Sequence, residues 1–109
     1  MTFFNLQRLM LSQQDKKKFR AIGHHLKPVV TIAGNGLSES VLAEIGRALA
    51  DHELIKVRIN GDREQRVSTL AAITESANAI KIQATGGTAL IYKKALELKP
   101  HLSNLSRHN

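Results

Sequence analysis

The chain contains no cysteine, no tryptophan and only two prolines among its 109 residues. Without cysteine there is no disulfide framework, no thiol nucleophile and no cysteine-ligated metal site, which fits a reducing compartment. No apolar run approaches the roughly 20 residues that a membrane-spanning helix requires. The opening Met1-Thr-Phe-Phe-Asn-Leu-Gln-Arg-Leu-Met-Leu11 lacks a basic leader and a small-residue cleavage site, so no signal peptide is expected and cytoplasm is the default. Aromatic residues are few, three Phe and one Tyr, and none sits in an RRM-type signature. Any nucleic acid would then be held by backbone shape and phosphate more than by base stacking. Five histidines are present, but none recurs at metal-ligand spacing, and Asp62 and Glu64 are explained by a helix start. Serines and histidines form no nucleophile-elbow pattern, so no constellation for catalysis is found and no cofactor is implied.

What the chain has in excess is positive charge. The net charge is +7 and the pI about 10.2. Residues 1–38 carry six Lys/Arg against one acid (+5), residues 39–75 five against seven (−2), and residues 76–109 five against one (+4). A basic chain of this size attracts polyanions, of which nucleic acid is the commonest in cytoplasm. No segment joins a broad apolar face to a basic one over several turns, so a membrane surface is a poorer partner.

The apolar pattern predicts seven elements. Ser12 caps a helix to about Ile22, ended by Gly23 as a glycine just beyond the helix; Phe19 and Ile22 share one face, and Lys16, Lys17 and Arg20 lie together on another. Val29 to Ile32 form a short interior strand, followed by Gly34-Asn35-Gly36 and a helix capped by Ser38 with Val41, Leu42, Ile45 and Leu49 at core spacing. In Leu54 to Ile59, residues Ile55, Val57 and Ile59 point one way and Lys56 and Arg58 the other. Asp62 to Gln65 read as a capping box for a third helix whose buried stripe includes Val67, Leu70, Ala71 and Thr74. Gly86-Gly87 join two strands, Ile80 to Thr85 and Thr88 to Tyr92. A two-residue loop would pair Ile82 with Ile91 on the inner face and leave Lys81, Gln83, Leu90 and Tyr92 on the other. The expectation is one α/β domain of order α-β-α-β-α-β-β with a four-stranded mixed sheet over residues 12–94. Residues 1–11 would be an extension and 95–109 a flexible tail.

The strand, glycine turn and helix start around Gly34-Asn35-Gly36 place backbone N–H groups and a positive dipole end at one surface spot, which suits an anion. The turn matches neither a nucleotide-binding phosphate loop nor a dinucleotide fingerprint. The candidate binding residues are Gly34, Asn35 and Gly36 for phosphate, with Lys16, Lys17, Arg20 and Lys27 around them and Lys56 and Arg58 as helpers.

Leu26-Lys27-Pro28-Val29-Val30, Gly34-Asn35-Gly36-Leu37, Val41-Leu42-Ala43-Glu44-Ile45 and His52-Glu53-Leu54-Ile55-Lys56-Val57 resemble the CRM domain, in its stand-alone bacterial YhbY-type form. Asp62-Arg63-Glu64 and Leu90-Ile91-Tyr92 extend the resemblance, which covers roughly Ser12 to Tyr92. It implies a fold similar to the C-terminal domain of translation initiation factor three. It also implies RNA binding through a Gly-x-x-Gly loop analogous to that of KH domains. Bacterial members associate with precursors of the large ribosomal subunit, and plant relatives assist splicing. The implied protein is a monomeric, non-catalytic binder of ribosomal RNA with no cofactor, small-molecule substrate or membrane partner; the rival reading is an adapter docking on a ribosomal protein or assembly factor. In this chain the loop reads Ala33-Gly34-Asn35-Gly36, so Gly36 keeps its place and Gly34 would take the special conformation that the missing first glycine supplied.

Overall fold

The computed structural model describes residues 11–33 and 36–107. Three main helices, α1 (Gln13–Gly23), α2 (Glu39–His52) and α3 (Arg63–Ala77), alternate with strands β1 (Pro28–Ile32) and β2 (Leu54–Ile59). The hairpin β3 (Ile80–Thr85) and β4 (Thr88–Tyr92) follows, and a single turn, α4 (Asn104–Arg107), comes last. The strands form one mixed sheet of order β1-β2-β4-β3, with β1 and β2 parallel and the other pairs antiparallel.

Local chemistry sets the helix starts. Ser12, Ser38 and Asp62 each accept a hydrogen bond from the backbone N–H three residues on. At α3 the capping box is complete, Gln65 N to Asp62 Oδ1 at 2.8 Å and Asp62 N to Gln65 Oε1 at 2.9 Å.

Both faces of the sheet are covered, so the strands carry apolar residues on both sides. Against α2 and α3 lie Val30, Ile32, Ile55, Val57, Ile59 and Ile91, packed on Ile45, Leu49, Leu70 and Ile73. Against α1 lie Leu54, Ile82 and Leu90, packed on Phe19 and Ile22. Three departures from the sequence reading appear, and the second layer accounts for the first two. Ile82 does not pair with Ile91. A bulge makes Lys81 face Ile91 and Gln83 face Leu90, leaving Ile82 as the extra residue. This insertion turns Ile80 and Ile82 to the α1 side, where Leu90 and Tyr92 are also covered. Tyr92 is thus half-buried, its ring 4.7 Å from that of Phe19, and burial raises its phenol above the usual tyrosine range.

Gly23 is the last helical residue of α1 and is not a left-handed terminator. A Cβ built there would lie 2.4 Å from a Leu90 methyl. Glycine is therefore needed for close packing of α1 on β4. Gly23→Ala should lower stability by about 1–2 kcal/mol, because overpacking (about 1–3) exceeds the roughly 0.5–1 kcal/mol that alanine gains in a helix; chemical denaturation would measure it. The third departure is in α3, where the buried stripe is Leu70 and Ile73, while Val67 and Ala71 are exposed. The helix is rotated so that Ile73, with no exposure, meets the sheet.

Residues 95–107, expected as a tail, return across the α2–β2 junction. Glu53, buried at the end of α2, accepts Ser103 Oγ–H at Oε1 (2.7 Å) and the Ala95 N–H at Oε2 (2.9 Å). Asn104 Nδ2 donates to the Leu54 carbonyl (2.7 Å), His52 Nδ1 to the Leu102 carbonyl (2.7 Å), and Lys99 pairs with Asp51 (2.6 Å). Leu105 then packs against the α1 layer. The hydrogen bond from Lys99 holds the Asp51 carboxyl below its ordinary value and raises the Lys99 ammonium. Polar anchors, which periodicity does not reveal, hold this strap.

Candidate nucleic-acid interface

The parallel strands β1 and β2 end at the same edge of the sheet, where the β3–β4 turn also lies. Asn60 N–H donates to the Ile32 carbonyl (3.0 Å), and Ile59 N–H donates to the Gly87 carbonyl (2.7 Å). Three glycine turns are thereby set side by side: the one after β1, Asn60-Gly61 after β2, and Gly86-Gly87.

In the first turn Gly34 and Asn35 lie outside the described residues. Gly36 has φ +111° with no neighbour within 4 Å of a built Cβ, and its N–H donates to the Ala33 carbonyl at 3.2 Å. Ala33 keeps a negative φ, since among the described non-glycine residues only Glu53 and Asn78 are positive. Alanine is therefore compatible with the position of the first loop glycine; among the described loop residues Gly36 is left-handed, and the expectation for Gly34 lies outside them. Gly36→Ala would strain the backbone without a clash, at a cost of about 1–2 kcal/mol. The expected outcome is weaker RNA binding with an unchanged circular dichroism spectrum. After the loop, α2 begins with exposed N–H groups, of which Val41 N–H is taken by Ser38 Oγ (3.2 Å). Glu39 in that first turn offsets part of the dipole's attraction for an anion.

The cations are arranged around the α1 face. Phe19, Ile22 and Gly23 are buried; Lys16 and Arg20 lie beside that stripe and are half-buried, and Lys17 is exposed. Gly23 rests on Leu90, and Leu90 pairs with Lys56 on β2. Two residues along the same face, Arg58 pairs with Thr31 of β1 and Thr88 of β4 and is exposed. Thr31 is two residues from Ala33. A path thus leads from α1 across Lys56 and Arg58 to the glycine turn. Lys27 is exposed before the opposite end of β1, about 20 Å from the turn at 3.3 Å per residue. The structure does not bring it to the loop.

Among the described residues the one ion pair is Lys99–Asp51, so none of these six cations is neutralised by a carboxylate. No helix among them is long and apolar enough to cross a membrane. Sequence reasoning passed over Arg63 and Arg66, which stand beside the Gly86-Gly87 turn. Their signal was their mutual spacing of three, directly after the capping residue Asp62, hidden by the acidic balance of the middle segment.

Residues 11–93 match the model of the CRS1/YhbY (CRM) domain. A Pseudomonas aeruginosa protein named "Probable RNA-binding protein" is 46% identical over 100 residues, covering 91% of this chain and 96% of its own. An RNA-binding protein of Haemophilus influenzae is 43% identical over 93 residues, 84% of this chain and 94% of its own. The solution structure of a hypothetical protein from Staphylococcus aureus superposes with a TM-score of 0.71 at 25% identity, covering 81% of this chain and 93% of the other. The resemblance first carried by the strand–turn–helix at Lys27 to Leu37 thus extends over the whole described sheet, and the chain belongs to the CRS1/YhbY (CRM) domain family.

Proposed function

We propose that this protein binds RNA without catalysing a reaction on it, and that its target is ribosomal RNA in precursors of the large subunit, in the cytoplasm. The observation that carries the reading is the set of un-neutralised cations Lys16, Lys17 and Arg20 on α1 and Lys56 and Arg58 on the sheet face that α1 packs against, with Arg58 beside Thr31 below the turn at Gly36. Such a set suits a phosphate backbone, with ammonium and guanidinium groups displacing counterions and the turn admitting close approach of a phosphate. The names of the relatives support RNA as the class of partner. The association of the family's bacterial members with large-subunit precursors supports the choice of RNA.

Sedimentation of lysate on sucrose gradients at low and high salt tests this directly. The protein should run with a particle slightly lighter than the mature large subunit at low salt and leave it at high salt. If it stays at the top of the gradient at low salt, the ribosomal assignment fails. A second reading, an adapter for a ribosomal protein or assembly factor, is favoured by the exposed Leu96, Leu98 and Leu102 on the strap. Pull-down with and without nuclease separates the two, because an adapter keeps its partner once RNA is destroyed.

A further inference from the structure

A cleft of about 330 Å³ opens between the first two turns of α3 and the β3–β4 turn, on the sheet face opposite Lys56 and Arg58. Its walls are apolar or lack side chains, Val67 and Ala84 facing Gly86-Gly87, and Arg63 and Arg66 border it. Val67 is 62% exposed here, a large apolar side chain left in solvent beside two guanidinium groups. Arg66 is held in place, Nη1 donating to the Gly61 carbonyl at 2.7 Å. Arg63 makes no side-chain hydrogen bond or ion pair among the described residues.

This combination selects a ligand class. A lone phosphate has no use for apolar walls, and a hydrocarbon has none for two guanidinium groups. A nucleotide uses both, because every base has an apolar π-face that stacks on guanidinium planes and carries an adjoining phosphate. The volume lies at the low end of the roughly 300–1,000 Å³ of ligand pockets, the size for one base. Access is short as well. From the β1 turn, through the hydrogen bonds Asn60–Ile32 and Ile59–Gly87, the cleft is two interstrand spacings away, about 10 Å.

We propose that the cleft receives one unstacked base of the RNA strand held at the Gly36 turn, with Arg66 against the base and Arg63 on its phosphate. The proposal rests on the RNA-binding reading above. RNA would then cross the end of the sheet from the α1 face to the α3 face, over all three glycine turns. A base site of this kind gives a preference for unpaired segments that the basic path alone does not.

The test measures binding of a uridine 12-mer and of an abasic ribose-phosphate 12-mer at low salt, with purified ribosomal RNA as a third ligand. The wild type should bind the uridine strand about five- to a hundredfold more tightly than the abasic strand, the range for one stacked base. Ala84→Leu, on an exposed wall position, fills the cleft and should remove that preference while leaving abasic binding unchanged. Arg63→Gln should weaken both strands and lower the salt slope by about 0.7. A wild type without preference, or an Ala84→Leu variant that keeps it, overturns the base site. Binding of ribosomal RNA but of neither 12-mer also overturns it and leaves the RNA reading standing. If none of the three ligands binds, the RNA reading itself has failed.

Discussion

Replacing Lys16, Lys17 and Arg20 together by glutamine will weaken RNA binding and flatten its salt dependence. Each single-strand phosphate contact contributes about 0.7 to the slope of log K against log salt, so losing three lowers the slope by about 2. Between 50 and 200 mM salt that difference amounts to roughly a twentyfold change in relative affinity. The fold should survive, because Phe19, Ile22 and Gly23 make the buried contacts of α1 and the three cations lie beside or away from them. Filter binding over a salt series reads both quantities. Unchanged affinity and slope would remove the α1 surface from the interface and leave the glycine turns to carry the binding alone.

The second large effect is on stability. Glu53→Ala should cost about 3 kcal/mol, because Ser103 Oγ–H and the Ala95 N–H lose their acceptor in a buried site, at about 1–3 kcal/mol for each unsatisfied group. The expected fall in Tm exceeds about 10 °C for a domain of this size. Glu53 also sits at φ +62°, a conformation disfavoured for any residue with a Cβ. Glu53→Gly relieves that strain and should therefore be less damaging than alanine, although both lose the carboxylate. The conformation is retained because α2 must end and β2 begin with no intervening turn, and the carboxylate stitches the strap over the junction. RNA affinity of these variants, measured below their melting temperature, should match the wild type, since Glu53 lies just before the start of β2, and the Gly36 turn is beside the strand's other end.

These two results probe features that were unequally legible in the sequence. The elements themselves were readable, because their signals are local. Ser12, Ser38 and the Asp62/Gln65 box mark helix starts within four residues, and the alternation of Ile55, Val57 and Ile59 against Lys56 and Arg58 marks one strand. What escaped depends on a second layer. The bulge at Ile82, the close approach of Gly23 to Leu90 and the covering of Tyr92 all follow from α1 lying on the sheet. A hairpin read with only one buried face has no reason for a bulge. The strap was hidden for a different reason. Its bonds join Glu53 to Ser103 and Leu54 to Asn104 across fifty residues, through polar side chains that leave no apolar period.

The proposed binding surface was suggested in the sequence by its charges and less so by its geometry. Lys16, Lys17, Arg20, Lys56 and Arg58 could be named from clustering and alternation, whereas Lys27 stands one strand length from the turn, next to Pro28, which pairs with Lys56. Arg63 and Arg66 were masked by Asp62 and Glu64. In the fold Asp62 caps α3, while the two arginines border the cleft beside the hairpin.

Ultraviolet cross-linking of the protein to RNA in lysate, followed by identification of the cross-linked peptides, tests the central claim most directly. The account predicts cross-links within residues 16–36 and 56–67, together with Gly86-Gly87, and their loss at high salt. Cross-links confined to the strap at residues 93–107, or none at any salt, would contradict it.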